Sequence, residues 1–539
     1  MSTTADIDTN VKDISGNLLI AGDSRVGSGA VFRAVNPITG QNLEPVFREA
    51  TVDQVAEAVE AAHRAYDAYS VMETSRRSEF LRAIADELLA AGMPLLERAS
   101  LETALPIARL EGERARTVHQ LRLMADVIDE GSWVEARIDT GDASRTPLPK
   151  PDLRRMLVPL GPVAVFSASN FPFAYSIAGG DTASAFAAGC TVVCKAHPAH
   201  PGTSEMTARA LYRAAERCNL PAGVFSMVHG WSHESGVALV KHPHIQAVGF
   251  TGSLRGGRAI FDAANSRAEP IPVYAEMGSV NPVFLLPSAV KERAETIAQG
   301  LANSMTQGVG QFCTNPGVIV GVRSESFSQL SDSLAGRIGV ADGGVMLYEG
   351  LFRNFTRGVQ QSRDEGATVL AQSPATAGPT RAQATLLGTS AARFIEDANL
   401  RAEMFGPASI LVTGESIEEL EQIAATMEGQ LTASIHGTER ELAENARLIT
   451  LLQRKVGRVI FNGYPTGVEV GHAIVHGGPY PASSDSRTTA VGSASISRFA
   501  RPVCFQNFPE TVLAVELHNK NTRGIWRMVN GEQTRGDVG

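Results

Sequence analysis

The sequence of 539 residues has few cysteines and no long apolar stretch. Five cysteines are too few for a disulfide scaffold in a chain of this length, and no two of them form the CxxC pair typical of metal sites. No segment reaches the ~18–20 apolar residues that a membrane span requires. Residues 1–11 are polar and acidic and lack the basic and apolar regions of a secretory leader. We therefore expect no metal site, no membrane association and a cytoplasmic location.

A basic block is absent as well. The formal net charge is −9, and the 48 Lys and Arg residues are spread among 57 Asp and Glu residues. Without a cluster of cations to neutralise phosphates, we expect no nucleic-acid partner. The GxGxxG fingerprint of common dinucleotide-binding folds does not follow any predicted strand. The 43% hydrophobic and 19% charged residues are typical of a globular protein, and the length predicts two or three domains.

Apolar periodicity predicts an α/β fold. Helical patterns cover residues 51–68 and 76–92. Short apolar runs then alternate with amphipathic segments, at residues 162–166, 179–188, 191–196, 203–218, 224–228 and 244–250. This alternation indicates βαβ units and a parallel sheet. A second α/β alternation is predicted further on, with helices at 290–306 and 417–427 and strands at 317–322 and 459–461.

A hairpin is predicted between the early helices and the first sheet. Residues 133–138 and 155–158 both have extended patterns, and a charged, proline-bearing connector lies between them. We expect these two segments to pair and to leave the domain as a hairpin.

Two glycine-rich segments are candidates for a functional site. Residues 249–257 place glycines and a serine where a strand turns into a helix, so that free backbone N–H groups can face an anion. An ordinary turn is the alternative. Residues 307–314 place Cys313 after a helical pattern, in a stretch where the backbone can approach a substrate closely. A thiol there can be activated as a nucleophile, and a structural cysteine is the alternative.

Six features resemble the aldehyde dehydrogenase superfamily in their order and spacing. They are Ser167-Ala168-Ser169-Asn170-Phe171-Pro172, Lys195, Phe250-Thr251-Gly252-Ser253, Glu276-Met277-Gly278, Gly310-Gln311-Phe312-Cys313 and Glu403-Met404-Phe405-Gly406-Pro407. The similarity covers residues 36–462. It implies an α/β aldehyde dehydrogenase fold with a Rossmann-like NAD(P)-binding domain (1–130 and 159–276) and an α/β catalytic domain (277–490). A small β oligomerisation hairpin with a C-terminal arm (131–158 and 491–539) completes the fold that the resemblance implies.

The resemblance implies three catalytic residues. Cys313 resembles the nucleophile that adds to the aldehyde. Asn170 resembles the amide that stabilises the resulting oxyanion together with the Cys313 N–H. Glu276 resembles the general base for the thiol or for the hydrolytic water. The alternatives are a turn cap for Asn170 and a structural role for Glu276.

An NAD(P) site is implied by the same resemblance. Glu403 and Phe405 resemble the pair that binds the nicotinamide ribose and ring, and Lys195 resembles the residue that binds the adenosine ribose. A surface lysine is the alternative for Lys195. The remaining candidates for cofactor binding are Ser169, His197, Gly252, Ser253 and Gly257.

The cofactor preference is predicted from Pro198. NAD-preferring members of the family commonly carry an acidic residue at this position, where it accepts bonds from the ribose hydroxyls and repels a 2′-phosphate. NADP is therefore the favoured cofactor, and NAD remains possible. Arg209 and Arg213 are candidate phosphate partners, although solvent-exposed arginines on a helix face are the favoured interpretation.

The substrate is predicted from two unusual segments, residues 196–205 and 477–489. They are similar to the 2-oxoglutarate semialdehyde (2,5-dioxopentanoate) dehydrogenases, and this similarity implies NADP-dependent oxidation of 2,5-dioxopentanoate to 2-oxoglutarate. The reaction would pass through a thiohemiacetal and a thioester on Cys313. A fatty or medium-chain aldehyde dehydrogenase and a catalytically silent NADP-binding protein are the alternatives.

A keto acid needs a cationic partner for its carboxylate. The helix at 111–124 resembles the one that borders the substrate tunnel, and Arg116 on it is the candidate receptor. Gln120 and Phe171 are further substrate candidates, and Arg122 is a second arginine. The alternative is an arginine on the helix surface, paired with Glu113 or Asp126.

The oligomeric state is predicted from the hairpin alone. In the family such a hairpin pairs strands between subunits, so a homodimer or homotetramer is implied. The chain departs from the usual Pro-Phe-Gly-Gly pattern after Asn462-Gly463 and continues for 30 residues beyond Pro509. The substrate mouth and the oligomer contacts are therefore the parts of the resemblance with the least support.

Overall fold

The computed structural model describes residues 14–539, and the predicted lack of a leader in residues 1–11 lies outside them. Over the described residues the chain forms 21 strands, which are β1 Leu18–Ile20, β2 Asp23–Arg25, β3 Val31–Val35, β4 Asn42–Arg48, β5 Arg137–Asp139, β6 Leu153–Pro159, β7 Val163–Phe166, β8 Val192–Ala196, β9 Phe225–His229, β10 Ala247–Thr251, β11 Val273–Glu276, β12 Val283–Leu285, β13 Val318–Val322, β14 Thr368–Gln372, β15 Thr385–Ser390, β16 Ala408–Gly414, β17 Gln430–His436, β18 Val456–Phe461, β19 Ala500–Gln506, β20 Arg527–Val529 and β21 Glu532–Thr534.

The same residues form 15 α-helices, which are α1 Val52–Ser70, α2 Thr74–Ala90, α3 Gly92–Thr103, α4 Ile107–Glu130, α5 Gly180–Ala188, α6 Pro201–Arg217, α7 Glu234–Lys241, α8 Leu254–Asn265, α9 Pro287–Thr306, α10 Glu325–Gly339, α11 Glu349–Asp364, α12 Ala391–Glu396, α13 Ile417–Thr426, α14 Glu439–Glu444 and α15 Ala446–Gln453. Short 3-10 helices within the described part of the chain lie at Ser132–Val134, Ala222–Val224, Gln307–Gly310, Ala398–Arg401, Ser493–Phe499, Glu510–Val512 and Val515–Leu517.

The first sheet has the strand order β11-β10-β7-β8-β9-β1-β2. Strands β7 to β11 run parallel to their neighbours, and β1 joins the edge of β9 antiparallel. On β7, Val163 and Val165 belong to one buried cluster, whereas Ala164 and Phe166 belong to another. Because successive strand residues point to opposite faces, both faces of this sheet are buried, as a parallel sheet requires. The predicted βαβ region is confirmed.

The second sheet has the order β14-β15-β16-β13-β12-β17-β18, and each pair is parallel except β14 with β15. On β12, Val283 and Leu285 pack in one cluster with α9 and α10, and Phe284 packs in the other. Two parallel sheets, each covered by helices, confirm the predicted α/β class.

The third sheet, β19-β6-β5-β20-β21, contains the predicted hairpin, and β5 pairs antiparallel with β6. The extended pattern predicted for residues 133–138 is wrong in its first half. Ser132–Val134 is a 3-10 helix, and Gly131 and Glu135 on either side of it adopt left-handed backbone conformations that interrupt the extended run. C-terminal residues supply three of the five strands.

The strands of each of these three sheets lie within one of the three predicted domains, except that β6 extends one residue beyond the predicted boundary at 158. The division of the chain into domains stays a prediction. No helix in the described part of the chain is both long and apolar enough to cross a bilayer.

Candidate active site

One cavity of about 940 Å³ opens at the carboxyl ends of the first sheet's strands, and its opposite wall includes Cys313, Glu403 and Phe405 from the part of the chain that carries the second sheet. This edge of an open α/β sheet is where ligands bind. The predicted site residues that line it are Ser169, Asn170, Phe171, Lys195, His197, Gly252, Ser253, Glu276, Cys313, Glu403 and Phe405. The predicted residues Gly257, Arg116 and Gln120 are not among its lining residues.

Cys313 lies just beyond α9, on a strained loop. Gly308, Val309 and Gly310 have φ values of 57°, 60° and 63°, and a left-handed β-branched residue such as Val309 is unusual. A Cβ on Gly310 would meet the carbonyl oxygen of Gly406 at 2.2 Å, so the loop can pass this point only with glycine. The loop brings a half-buried thiol to the cavity wall.

The electrostatic surroundings oppose ionisation of the isolated thiol. Burial raises the pKa of Cys313 to about 12, and the negative charge of Glu276 adds to the shift, while Arg116 and Arg458 act in the opposite direction. A thiolate is the nucleophilic form, so this thiol needs a partner that takes its proton.

His476 is the side chain that contacts this thiol, and sequence reasoning missed it. Its Nε2 lies 3.5 Å from the Cys313 Sγ, and its ring is stacked on Tyr175 with centroids 5.8 Å apart. Burial lowers the pKa of His476 to about 3, with contributions from Arg116, Arg458 and Arg498, so the ring is neutral and the resting thiol keeps its proton. A lone histidine immediately before the unusual 477–489 segment carried no signal of its own.

Asn170 is brought to the same loop. Its Nδ2 donates to the Gln311 carbonyl at 3.0 Å, two residues before Cys313, and its own carbonyl accepts a bond from Arg109 at 3.0 Å. The Arg109 guanidinium also lies over the rings of Phe171 and Phe312, at 5.2 and 5.0 Å from their centroids. These contacts hold the predicted oxyanion donor and the predicted nucleophile together.

Glu276 ends β11 and is 2% exposed, but it is not a free carboxylate. Arg498 donates to its Oε1, and the Ser483 hydroxyl donates to its Oε2 at 2.6 Å. Arg498 is itself 1% exposed and also contacts Asp181 at 3.4 Å. Burial raises the pKa of Glu276, and Arg498 opposes this shift most strongly. Sequence reasoning missed both Arg498 and Ser483.

The turn after β10 has the features needed to hold a dinucleotide phosphate. Ser253 caps α8 by accepting a bond from the Gly256 N–H at 3.2 Å. The other N–H groups of the first helical turn have no partner within the helix, and Ser253, Arg255 and Gly256 at this end line the cavity. Gly257 has a packing role, because a Cβ there would meet the Met277 Cγ at 2.6 Å. The cavity also lies within the ~300–1,000 Å³ range of ligand pockets. The residues present therefore fit an NAD(P) cofactor.

Lys195 and His197 differ in charge. The Lys195 ammonium donates to the Gly230 carbonyl at 2.9 Å, and burial lowers its pKa to about 8. His197 accepts a bond from the Ala199 N–H at Nδ1, and burial holds its pKa well below the ordinary value. Of the two, Lys195 is the one that can offer a positive charge to a ribose phosphate.

At the nicotinamide end, Glu403 and Phe405 both reach the cavity. Glu403 Oε1 accepts a bond from the Ser279 N–H at 3.2 Å, one residue beyond the Glu276-Met277-Gly278 motif. This contact links the two motifs that the resemblance assigns to catalysis and to nicotinamide binding.

The exposed positions expected for Arg209 and Arg213 are wrong. Arg209 is 3% exposed and forms an ion pair with Glu205 at 2.8 Å, because their i,i+4 spacing on α6 joins them where the helix is covered on all sides. Arg213 pairs with Glu87 at 2.6 Å. Neither arginine is among the lining residues of the cavity.

Arg116 is partly buried, and its charge opposes the rise in the pKa of the Cys313 thiol. Its Nη2 donates to the Tyr175 hydroxyl at 3.1 Å and its Nε to the Val468 carbonyl at 3.2 Å. Through Tyr175 and His476 it is three side-chain contacts away from Cys313. Arg458 on β18 binds the same loop, donating to the carbonyls of Pro465 at 2.8 Å and Gly467 at 3.1 Å.

Of the other substrate candidates, only Phe171 reaches the cavity, whereas Gln120 and Arg122 do not. Phe171 lines the cavity and packs edge-on against Phe312. The side-chain amide of Gln120 binds the Gly492 backbone: its Nε2 donates to the carbonyl at 3.4 Å and its Oε1 accepts from the N–H at 3.0 Å. This is a structural role. Arg122 pairs with Asp86 at the surface, at 3.1 Å, rather than with either of the two expected acidic residues.

Comparison with known proteins gives consistent matches. A model of the aldehyde dehydrogenase family matches residues 25–489. The alpha-ketoglutaric semialdehyde dehydrogenase 2 of Azospirillum brasilense is 45% identical over 96% of this chain and 99% of its own. The alpha-ketoglutaric semialdehyde dehydrogenase of Acinetobacter baylyi is 42% identical over 97% of this chain and 99% of its own.

Solved structures share the fold at low identity. Aldehyde dehydrogenase C of Pseudomonas syringae, crystallised with NAD⁺ and octanal, superposes with a TM-score of 0.78 at 23% identity, over 92% of this chain and 97% of its own. Betaine aldehyde dehydrogenase of Staphylococcus aureus, in complex with NAD⁺, has a TM-score of 0.79 at 19% identity, over 93% of this chain and 98% of its own.

Proposed function

Because this chain belongs to the aldehyde dehydrogenase family, we propose that this NAD(P)-dependent enzyme oxidises 2-oxoglutarate semialdehyde (2,5-dioxopentanoate) to 2-oxoglutarate. Two relatives that match almost the whole chain are named for this substrate. The structural observation that carries the proposal is the position of Arg116, which is partly buried and is linked to the Cys313 thiol by three successive side-chain contacts. A cation at this place suits an aldehyde that carries a carboxylate.

The nucleophile is Cys313, and we assign His476 as the group that takes its proton only as the sulfur bonds to the aldehyde carbon. The 3.5 Å contact places the imidazole Nε2 within reach of the thiol, whereas both oxygens of Glu276 already accept bonds from Arg498 and Ser483. Sulfur then bonds to the aldehyde carbon, and the carbonyl oxygen becomes an oxyanion. The Asn170 amide and the Cys313 N–H are the donors for this oxyanion.

The bound NAD(P)⁺ supplies the acceptor for the hydride that leaves the substrate carbon. The loss of the hydride converts the thiohemiacetal on Cys313 into a thioester. Glu276 keeps the role of base for the hydrolytic water, which reaches its carboxylate by taking the place of the Ser483 hydroxyl. Hydrolysis releases the acid and restores the thiol.

The substrate carboxylate is bound by Arg116. An extended five-carbon chain places its carboxylate roughly 5 Å from the aldehyde carbon, given bonds of about 1.5 Å. Arg116 donates to the Tyr175 hydroxyl, and Tyr175 is stacked on His476, the residue that contacts the thiol. Phe171 packs against Tyr175 and forms the apolar wall for the methylene groups.

NADP⁺ is the proposed cofactor. Pro198 at the cavity wall offers no carboxylate to repel a 2′-phosphate, and Lys195 offers a cation in its protonated form. Phosphate binding raises the charged fraction of Lys195, whose pKa of about 8 leaves it partly neutral.

We further propose that the chain assembles into a homodimer or a homotetramer. Strand β18 is an edge of the second sheet, and Val459 and Phe461 on it are 40% and 43% exposed. Strand β19 is the edge of the third sheet. Unpaired edges with apolar side chains are typically covered by another chain. The cytoplasmic location expected from the sequence stays a prediction.

The proposal is tested by initial rates of NADPH and NADH formation with 2,5-dioxopentanoate, hexanal and decanal at matched concentrations. We expect the highest kcat/KM for 2,5-dioxopentanoate with NADP⁺. A higher kcat/KM for the alkyl aldehydes would overturn the substrate and identify the fatty-aldehyde alternative. A higher kcat/KM with NAD⁺ would overturn the cofactor preference alone.

A further inference from the structure

An exposed tryptophan lies on the wall of the cofactor cavity. Trp231 comes two residues after the end of β9, has 59% of its surface exposed and lines the same cavity as Lys195 and Ser253. A tryptophan normally buries its large apolar area in a core or an interface. None of the proposed catalytic or substrate contacts involves this side chain.

One face of the Trp231 ring is already backed by aromatic groups. Phe32 on β3 is stacked on it, with centroids 5.6 Å apart and an angle of 29° between the ring planes. Phe47 stacks behind Phe32 with the same separation and angle, and the buried His229 meets both phenylalanines edge-on. Within residues 14–539, the ring–ring contacts of Trp231 end at Phe32, which leaves its second face available.

The loop that carries Trp231 is fastened on both sides. The buried Glu49 carboxylate accepts bonds from the Ser232 N–H at 2.9 Å, from the Ser232 hydroxyl at 2.8 Å and from the Ser235 hydroxyl at 2.9 Å. On the other side, the Lys195 ammonium donates to the Gly230 carbonyl. The ring is thus fixed before any ligand arrives, which lowers the entropy cost of binding.

The surrounding cavity wall suits a flat heteroaromatic base. Val237 and Val240 of α7 and Ile260 of α8 line the same cavity as Trp231. The nicotinamide must meet Cys313, so the wall formed after β9 is left for the other half of a dinucleotide.

We propose that Trp231 is a stacking platform for the adenine base of the bound NADP⁺ or NAD⁺. Every purine presents a π face, so the platform contributes affinity without reading the 2′ position. Selectivity between the two cofactors is then left to the neighbourhood of Lys195 and Pro198. This inference rests on NAD(P) binding and is independent of the proposed substrate.

Intrinsic fluorescence tests the platform directly, because Trp231 is one of only three tryptophans in the chain. The full-length protein is titrated with NADP⁺, NAD⁺, 5′-AMP and nicotinamide mononucleotide. We expect both dinucleotides and 5′-AMP to quench the emission and nicotinamide mononucleotide to leave it almost unchanged. In Trp231→Phe the quenching disappears, while calorimetry gives a Kd for NADP⁺ within about threefold of wild type, since a phenyl ring still stacks.

Trp231→Ala is expected to weaken NADP⁺, NAD⁺ and 5′-AMP by a similar factor of about 10, in line with the loss of one base–aromatic stack. Trp526→Phe is the matched control, because this residue is 50% exposed on the C-terminal segment and does not line the cavity. It should keep both the quenching and the Kd. Undiminished quenching in Trp231→Phe, or an unchanged Kd for 5′-AMP in Trp231→Ala, would overturn the proposal.

Discussion

Replacing His476 by glutamine removes the imidazole that contacts the Cys313 thiol and retains a polar side chain of similar length. In wild type the Nε2–Sγ distance is 3.5 Å, and burial raises the pKa of the thiol to about 12. Without an internal base, roughly one thiol in 10⁴–10⁵ is ionised at pH 7.5, because each pKa unit is a factor of ten. A positioned base typically contributes about 10²–10⁴-fold, so we expect kcat/KM to fall by about 10²–10³.

Two assays separate thiol activation from the later steps. The first is single-turnover formation of NADPH, and the second is alkylation of Cys313 by iodoacetamide between pH 6 and 10. In His476→Gln the alkylation rate should rise about tenfold per pH unit over this range, as expected of a thiol that ionises alone. His472→Gln is the matched control, because His472 is exposed and lies four residues upstream.

Glu276→Gln gives the complementary result if the roles are divided as proposed. Alkylation of Cys313 should stay within about threefold of wild type, while NADPH forms in a single burst because the thioester is no longer hydrolysed. Wild-type alkylation rates in His476→Gln, with slow alkylation in Glu276→Gln, would refute the assignment and return thiol activation to the carboxylate.

Arg116→Gln should raise the KM for 2,5-dioxopentanoate about 10- to 100-fold, the value of one charge-assisted bond, and leave hexanal unaffected; Arg122→Gln on the same helix should change neither, and equal losses for both aldehydes would contradict a carboxylate receptor. Arg498→Met leaves Glu276 and Asp181 as buried carboxylates without their cation, so urea titration should show a free energy of unfolding lower by about 3–5 kcal/mol, and an unchanged midpoint would refute this account. Burial lowers the pKa of His229 and His436 to about 4 and that of His476 to about 3, so below pH 6.5 the unfolded chain binds protons that the folded chain does not. Stability should therefore fall between pH 6.5 and 4, by at most about 1.4 kcal/mol per pH unit for each histidine, and equal thermal midpoints at pH 7.5 and 5 would contradict it.

Local patterns were sufficient to predict the parallel strands β7 to β10 of the first sheet. The apolar run that became β7 is buried on both faces, so every residue of it is apolar. The same reasoning failed at residues 133–138, where left-handed φ values at Gly131 and Glu135 interrupt an otherwise extended pattern. Backbone conformation at one glutamate leaves no trace in apolar periodicity.

Burial of charge was equally hard to predict. The Glu205–Arg209 pair has the i,i+4 spacing of an ordinary surface ion pair on α6. It is buried because Ser15 and Gly16, nearly 200 residues away in sequence, donate hydrogen bonds to the Glu205 carboxylate. A pattern within one helix cannot report what another part of the chain places over it.

The candidate active site contains both residues that stand in local motifs and residues that only long-range contacts bring there. Asn170, Glu276 and Cys313 stand in local motifs, and the structure brings all three to one cavity, although their catalytic roles stay proposals. His476 and Arg498 lie 163 and 222 residues from their partners and carry no motif.

These two distant residues change the chemistry that the motifs suggest. Arg498 occupies the carboxylate that the resemblance assigns as base, and His476 contacts the thiol that needs one. Burial raises the pKa of Glu276 and Arg498 opposes this shift, and both oxygens of the carboxylate already accept hydrogen bonds, so neither oxygen is paired with the resting thiol. We therefore assign the two proton transfers of the reaction to two different residues. His476 contacts the thiol, and Glu276, whose oxygens are bound by Arg498 and Ser483, is left for the water.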